Sequence, residues 1–162
     1  MKRLSVFAIA LSLFAVGCGS SSTSPNTAQK PTLTANLLPA NEVPSISNSE
    51  ASGSGTVTVT FDTATSATFV ANLSGFPAGT PINIAHIHQA VAGTNGSIVV
   101  STTLAAGEVT LTSGSGTFTK AGITVDAALE QTILNNPAGY YFNVHSTLNP
   151  GGVARGQLVR VQ

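Results

Sequence analysis

The stretch Thr56-Val57-Thr58-Val59-Thr60-Phe61 alternates strictly between polar and apolar side chains. Successive side chains of an extended strand point to opposite faces, so the apolar residues share one face and the threonines share the other. This alternation predicts a strand that is buried on one side only. We therefore expect Val57, Val59 and Phe61 in the core of a sheet.

The chain from residue 32 onward shares this β-like composition. It is rich in Val, Thr, Ile and Phe, punctuated by Gly and Ser, and poor in the residues that favour helices. Turn signals occur at Gly75-Phe76-Pro77-Ala78-Gly79, at Asn95-Gly96 and at Asn149-Pro150-Gly151-Gly152. Strands are predicted at residues 32–38, 53–61, 67–73, 82–89, 97–103, 108–112, 115–120, 140–146 and 153–161.

Residues 126–134 are the exception to the β pattern. Their Ala, Leu and Glu content, the spacing of Leu129 and Ile133, the acidic start at Asp126 and the following Asn135-Asn136-Pro137 predict a short helix. Many short antiparallel strands with one helical crossover predict an all-β domain. We expect an antiparallel β-sandwich or a partly closed Greek-key barrel with one short helix.

The first 17 residues are organised like a lipoprotein signal peptide. Lys2 and Arg3 precede an apolar run at residues 4–16 that is too short to span a bilayer comfortably. The run ends at Ala15-Val16-Gly17-Cys18, which resembles the lipobox of bacterial lipoproteins, with Ala15 in place of the more usual leucine. The resemblance implies that Cys18 carries acyl chains such as palmitate and becomes the mature N-terminus. The alternative is an ordinary thiol in a signal peptide that is cleaved elsewhere.

Residues 18–31 are predicted to form a flexible Ser/Thr-rich tether between the anchor and a domain at residues 32–162. The segment has few large apolar residues, so it cannot bury enough surface to offset its ordering entropy. Gly19 stands where an aspartate typically signals inner-membrane retention. We therefore expect a lipid-anchored protein of the bacterial cell envelope, in the outer membrane if the host is Gram-negative.

Charge and motif content exclude several classes of function. Only 7% of the residues are charged, and loss of Lys2 and Arg3 with the signal peptide leaves four basic against six acidic residues. The mature chain has no basic cluster, so no nucleic acid is expected among its partners. It also lacks a Gly-x-Ser-x-Gly elbow, a phosphate loop and closely paired carboxylates. We therefore do not expect an enzyme.

All three histidines lie in two short segments, Ala85-His86-Ile87-His88 and Tyr141-Phe142-Asn143-Val144-His145. In a strand, His86 and His88 point to the same side, and a neighbouring strand with His145 would add a third imidazole. Three imidazoles are a common ligand set for zinc or copper, with a fourth position left open. Over these residues the pattern is similar to the copper ligands of copper/zinc superoxide dismutase. A copper or zinc site is therefore one hypothesis.

Short patterns in a fixed order resemble the CHRD domain, named after the developmental protein chordin and also found in bacterial secreted proteins. They are Leu37-Leu38-Pro39-Ala40-Asn41-Glu42-Val43-Pro44, Ala51-Ser52-Gly53-Ser54-Gly55, Ala85-His86-Ile87-His88, Gly96-Ser97-Ile98-Val99-Val100, and the C-terminal run from Asn143 through Asn149-Pro150-Gly151-Gly152-Val153-Ala154-Arg155-Gly156-Gln157-Leu158. The resemblance covers essentially all of residues 32–162. Family members often have Gly-Glu-Ile-Arg-Gly in the last pattern, whereas Val153-Ala154 precedes Arg155 here, so that carboxylate is absent.

The competing hypothesis for these residues is a buried structural network of hydrogen bonds. Imidazole, amide and guanidinium groups offer complementary donors and acceptors, and a buried network must be satisfied. Neither histidine motif contains an aspartate or glutamate to orient a metal ligand, which favours the network over the metal. Its expected members are Glu42, His86, His88, Asn143, His145, Arg155 and Gln157.

Two members of this set have alternatives of their own. Glu42 either accepts hydrogen bonds from Arg155 or backbone N–H groups, or is a solvated loop residue. Arg155 is either a structural fork that binds several carbonyls at once or an anion site.

The first expectation for the whole protein is a non-enzymatic module without a cofactor, for envelope structure or extracellular interaction. Its expected partners are the membrane, through the anchor, and an extracellular protein or envelope component. The second expectation is a copper- or zinc-binding protein that uses His86, His88 and His145.

Overall fold

The computed structural model of the protein describes residues 29–161 and contains ten strands within that range. They are β1 (Thr32–Leu37), β2 (Ser54–Thr63), β3 (Ser66–Ser74), β4 (Thr80–Gln89), β5 (Ser97–Ser101), β6 (Val109–Leu111), β7 (Gly116–Thr124), β8 (Tyr140–Ser146), β9 (Ala154–Gln157) and β10 (Val159–Arg160). One antiparallel sheet has the order β10-β1-β2-β3-β7, and the other has the order β5-β4-β8-β9 with β6 also paired to β4. The sheets are not closed, so the sandwich is the correct one of the two predicted architectures.

The core lies between the two sheets. Val57 and Val59 are fully buried and Phe61 is 2% exposed, as the alternation in β2 predicts. Across the interface, the rings of Phe69 and Phe142 stack with their centroids 5.9 Å apart. Burial of one such side chain contributes about 1.5–3 kcal/mol, so apolar packing stabilises a domain whose sequence from residue 29 onward has no cysteine.

The predicted helix is α1 (Ala127–Asn135). Asp126 is its N-cap and accepts hydrogen bonds from the backbone N–H groups of Ala128 and Leu129. A capping residue has extended backbone angles, which explains why the helix begins one residue later than predicted. Ile133 is fully buried and attaches the helix to the core.

The last predicted strand, residues 153–161, is two strands in the structure. β9 belongs to the sheet of β8, whereas β10 pairs with β1 in the other sheet. Between them Leu158 is 1% exposed, and its N–H donates to the carbonyl of Tyr140. The chain therefore changes sheets at Leu158, because burial of this side chain between the sheets is more favourable than continuation of one ladder.

The two sheets approach each other closely where β9 passes β1. A Cβ atom on Gly156 would lie 2.0 Å from the carbonyl oxygen of Asn36, so only glycine fits there. Leu38 and Arg155 exchange backbone hydrogen bonds directly beside this point. Short 3-10 helices at Pro39–Asn41 and Ser49–Ser52 follow β1 and lead to β2. The first of them contacts β9, and Glu50 in the second accepts a hydrogen bond from Ser146 at the end of β8.

No helix within residues 29–161 is long and apolar enough to cross a membrane. The predicted signal peptide, Cys18 and most of the predicted tether lie outside the described residues.

Candidate metal centre

β4 and β8 bring the three histidines onto one face of their sheet. In the antiparallel register His86 lies opposite Asn143 and His88 lies opposite Tyr141. His145 lies opposite Ile84, two residues before His86 on β4. Nδ1 of His86 is 3.3 Å from Nε2 of His145, and one ligand atom from each of the three imidazoles lies within 4.8 Å of the others. The side chains are only 6–8% exposed. The three predicted metal ligands are therefore together.

Backbone carbonyls hold two of the imidazoles. Nδ1 of His88 is 2.9 Å from the carbonyl oxygen of Gly96, and Nδ1 of His145 is 2.9 Å from that of Pro150. Because a carbonyl oxygen only accepts, each Nδ1 donates its proton and each Nε2 keeps a lone pair. Metal-ligating histidines generally have such a bond on the far ring nitrogen. From the sequence, a carboxylate was expected as the acceptor that orients each histidine. The carbonyls could not be identified in advance, because every residue has one.

The Nε2 atom of His88 is buried and has no hydrogen-bond partner among the described residues. A buried polar atom without a partner typically costs about 1–3 kcal/mol. A metal ion would satisfy this lone pair. Tetrahedral coordination with metal–nitrogen bonds of about 2.0–2.1 Å separates two ligand nitrogens by roughly 3.3 Å, which the His86–His145 distance matches.

The imidazoles are held in the form that binds metal. Burial, with smaller contributions from the neighbouring imidazoles of His145 and His88, lowers the pKa of His86 to about 4. Burial also lowers the pKa of His145, with a smaller contribution from His88, although its hydrogen bond to Pro150 opposes the change. Both rings are therefore neutral at neutral pH, as metal coordination requires.

Glu50 supports His145 indirectly and was missed in the sequence. Its carboxylate is 3% exposed and accepts hydrogen bonds from Ser146 Oγ and Asn149 Nδ2. These bonds hold the turn whose next residue, Pro150, provides the carbonyl for His145. The signal in the sequence was an acidic residue among small polar ones, which does not distinguish a buried carboxylate from a solvated one.

Tyr141 is a second residue that the sequence analysis did not place in the site. Its ring stacks on His88 with centroids 4.8 Å apart and an interplanar angle of 1°. Its hydroxyl oxygen lies 3.4 Å from the backbone N–H of Gly96, the residue whose carbonyl accepts from His88. Tyr141 therefore fixes the plane of a predicted metal ligand. Tyr141 precedes Asn143 by two residues and so shares a face of the strand with it and with His145. This spacing was the feature of the sequence that could have placed Tyr141 in the site.

Arg155 lies on β9 opposite Asn143 and is 3% exposed. Its Nε donates to the carbonyl of Asn41 at 2.6 Å, and its Nη1 lies 2.9 Å from Asn95 Oδ1. The guanidinium carbon is 4.6 Å from the centre of the Tyr141 ring. Arg155 thus connects the segment after β1 to the loop between β4 and β5.

Glu42 is 5% exposed, so it is not a solvated loop residue. One carboxylate oxygen is 3.7 Å from Nε of Arg155, which is an ion-pair distance but too long for a hydrogen bond. Burial raises the pKa of Glu42 to about 7, although the charge of Arg155 opposes this. Both side chains also line a cavity of about 470 Å³.

Gln157 lies opposite Tyr141 in the β8–β9 register. Its amide nitrogen donates to the backbone carbonyls of Ala90, Ala138 and Tyr140 rather than to the histidines. The side chains of the seven residues that the sequence grouped as one network differ in what they bind. Arg155 and Gln157 connect backbone segments, whereas the histidines and Asn143 converge on one another.

Fold and site together define an open antiparallel β-sandwich with a three-histidine cluster on two neighbouring strands. The family model of the CHRD domain matches residues 33–158, so the chain belongs to the CHRD family, as its motifs predict. No curated protein matches the chain.

Two solved structures of a fungal protein share a similarity with this chain. The Cu(II) form of Candida albicans superoxide dismutase 5 aligns with a TM-score of 0.46 and 14% identity, over 83% of this chain and 94% of that chain. A glutamate-to-glutamine mutant of the same protein aligns with a TM-score of 0.46 and 14% identity, over 82% of this chain and 93% of that chain.

Proposed function

We propose that this protein is an extracytoplasmic metal-binding protein whose CHRD domain holds copper or zinc between His86, His88 and His145. The convergence of three buried imidazoles, with ligand atoms within 4.8 Å of one another, carries the proposal. Imidazole suits both ions, and copper(II) is the divalent ion of the first row that such sites bind most tightly.

A purely structural role leaves one buried nitrogen of the histidine cluster unexplained. A hydrogen-bonded network requires that each buried nitrogen meets a complementary atom. Nε2 of His88 meets none among the described residues, while Nε2 of His145 is approached by an imidazole nitrogen and an amide oxygen. A cation would accept the unused lone pair of His88 Nε2 and would bind the other two imidazoles in place of the hydrogen bond between them.

The membrane attachment belongs to the same proposal. Acyl chains on Cys18 would anchor the protein in the bacterial envelope, in the outer membrane if the host is Gram-negative, and residues 18–31 would form the tether. A strand advances about 3.3 Å per residue, so Leu38 at the far end of β1 is about 20 Å from Thr32, where β1 begins. Leu38 pairs with Arg155. The tether would therefore join the domain at the end of β1 that lies away from Arg155.

Several expectations from the sequence stay predictions beside this proposal. They are the absence of enzymatic activity, a role in envelope structure or interaction, and an extracellular protein or envelope component as partner. A metal ion bound by the histidines is compatible with each of them, because the metal would stabilise the folded domain by mass action whatever the domain contacts.

The proposal is tested by calorimetric titration of the purified mature protein with Cu²⁺ and Zn²⁺. We expect one ion per chain, and loss of affinity by at least about 100-fold in His88→Ala, more than the loss that partners of ligands typically cause. Thr58→Ala is the matched control, because Thr58 is exposed on the outer face of β2. No heat signal with either ion, together with no metal in the purified protein, would overturn the proposal.

A further inference from the structure

We infer that the side-chain oxygen of Asn143 is the fourth ligand of this metal centre. The inference rests on the proposed metal function and assigns the position that three imidazoles leave open. Asn143 is 2% exposed and lies directly opposite His86 in the β4–β8 ladder.

Each ring nitrogen of His145 faces an oxygen atom. Its Nδ1 is 2.9 Å from the carbonyl oxygen of Pro150, and its Nε2 is 3.1 Å from Oδ1 of Asn143. A neutral imidazole has one N–H, so it can donate to only one of these two oxygens. With the proton on Nδ1, the lone pairs of Nε2 and Oδ1 face each other. A cation bound to both atoms turns this repulsive contact into two coordination bonds.

The distance between these atoms fits a shared coordination sphere. Zinc binds nitrogen at about 2.0–2.1 Å and carboxylate oxygen at about 2.0–2.2 Å, so two ligand atoms of a tetrahedral site lie roughly 3.3–3.5 Å apart. The His86–His145 distance of 3.3 Å lies in this range, and the Nε2–Oδ1 distance of 3.1 Å is slightly shorter, so a small outward shift of the amide completes the fit.

The space beside Gly152 indicates how the side-chain amide of Asn143 is oriented. Gly152 has a φ of 133°, and a Cβ there would lie 2.8 Å from Nδ2 of Asn143 and 2.8 Å from each carboxylate oxygen of Glu42. The space that glycine leaves is therefore bordered by the amide NH₂ on one side and the carboxylate on the other. The amide nitrogen therefore lies on the Gly152 side of Asn143, whereas Oδ1 lies on the His145 side.

The ligand set determines which ion the site prefers. An amide oxygen is a hard, uncharged ligand that suits divalent ions, whereas copper(I) prefers softer donors. Asn143 should therefore favour Zn²⁺ and Cu²⁺ over Cu⁺ without adding charge to the site. In this arrangement Asn143 contributes to specificity, while the imidazoles provide most of the affinity.

The experiment compares Asn143→Leu, which removes the oxygen at nearly constant volume, with the wild-type mature protein. We expect zinc affinity to fall about 10- to 100-fold, and the preference for Cu²⁺ over Cu⁺ to fall at least about tenfold. For one electron a tenfold change raises the reduction potential by about 59 mV. The electron paramagnetic resonance spectrum of Cu²⁺ should change as well. Asn72→Leu is the matched control, because Asn72 is exposed on β3 and its side-chain oxygen accepts from Thr117, away from the histidines.

The outcomes separate this inference from the proposed function. If the wild type binds Zn²⁺ and Asn143→Leu binds it equally well with an unchanged Cu²⁺ spectrum, Asn143 is not a ligand and the three-histidine proposal stands. If the wild type binds neither ion, both fail. Should the leucine variant not fold, Asn143→Asp decides. A carboxylate at the ligand position should raise zinc affinity at least about tenfold, and unchanged affinity would overturn the inference.

Discussion

Nδ1 of His86 lies 3.3 Å from Nε2 of His145, although 59 residues separate them in the chain. The pairing of β4 with β8 creates this proximity, since a residue and the diagonal neighbour on the next strand share a face. Burial is the main reason why the pKa of His86 is so low, and repulsion from a second protonated imidazole at this distance adds to it.

The first prediction concerns acid stability of the metal-free protein. Imidazoles of the unfolded chain titrate near pH 6.5, whereas the pKa of His86 in the fold is about 4. Between these values the unfolded state binds more protons, so the free energy of unfolding falls as the pH decreases. Glu42 acts in the opposite direction. Its folded pKa of about 7 exceeds 4.5, so its contribution is lost as the pH rises toward 7.

The variant Glu42→Gln separates the two effects. In chelator, its unfolding midpoint should decrease steadily from pH 6.5 to pH 4, while the wild type should show a weaker dependence over the same window. A midpoint of Glu42→Gln that does not change with pH would contradict the assignment of the low pKa to His86. Metal binding should likewise persist well below pH 6.5 before it weakens.

The second prediction concerns Arg155 as a structural residue. Arg155→Ala removes the donors to Asn41 and Asn95 and leaves Glu42 buried without its counter-charge. A buried polar group without its partner typically costs about 1–3 kcal/mol, and a stranded charge costs more. Chemical denaturation in chelator should therefore show a clear loss of stability, whereas Thr58→Ala should change it little. Equal and negligible effects of both substitutions would show that Arg155 is not structural.

The third prediction concerns the stack of Tyr141 on His88. Tyr141→Phe keeps the ring but loses the contact with Gly96, whereas Tyr141→Leu loses both. We expect metal affinity near the wild-type value for the phenylalanine variant and a decrease of about tenfold or more for the leucine variant. Calorimetric titration with Zn²⁺ measures both. A leucine variant with wild-type affinity would mean that the plane of His88 is set by Gly96 alone.

The fourth prediction concerns the anchor. Because Cys18 is the only cysteine, Cys18→Ala should abolish incorporation of labelled palmitate and leave either unprocessed precursor or soluble protein. Cell fractionation with metabolic labelling checks this result. Unchanged lipid incorporation and membrane retention in the variant would refute the lipoprotein assignment. The metal affinity of the soluble material should equal that of the wild type, because the anchor lies outside the domain.

Local features of the sequence were sufficient for the elements of the fold. The alternation at residues 56–61 correctly predicted which side chains of β2 enter the core, and Asp126 correctly marked the start of α1. These features act between residues that are two to four positions apart, so they are readable without the fold. The same reasoning placed His86 and His88 on one face of β4.

What the sequence by itself determined is therefore an all-β CHRD domain with its histidines on strand faces. Tertiary structure alone decided that β4 and β8 are neighbours, that the chain changes sheets at Leu158, and that the carbonyls of Gly96 and Pro150 accept from the imidazoles. The physical reason is that strand faces follow from local backbone geometry, whereas partners across strands depend on the paths of distant loops. Backbone carbonyls belong to every residue, so no residue type reveals which of them will orient a metal ligand.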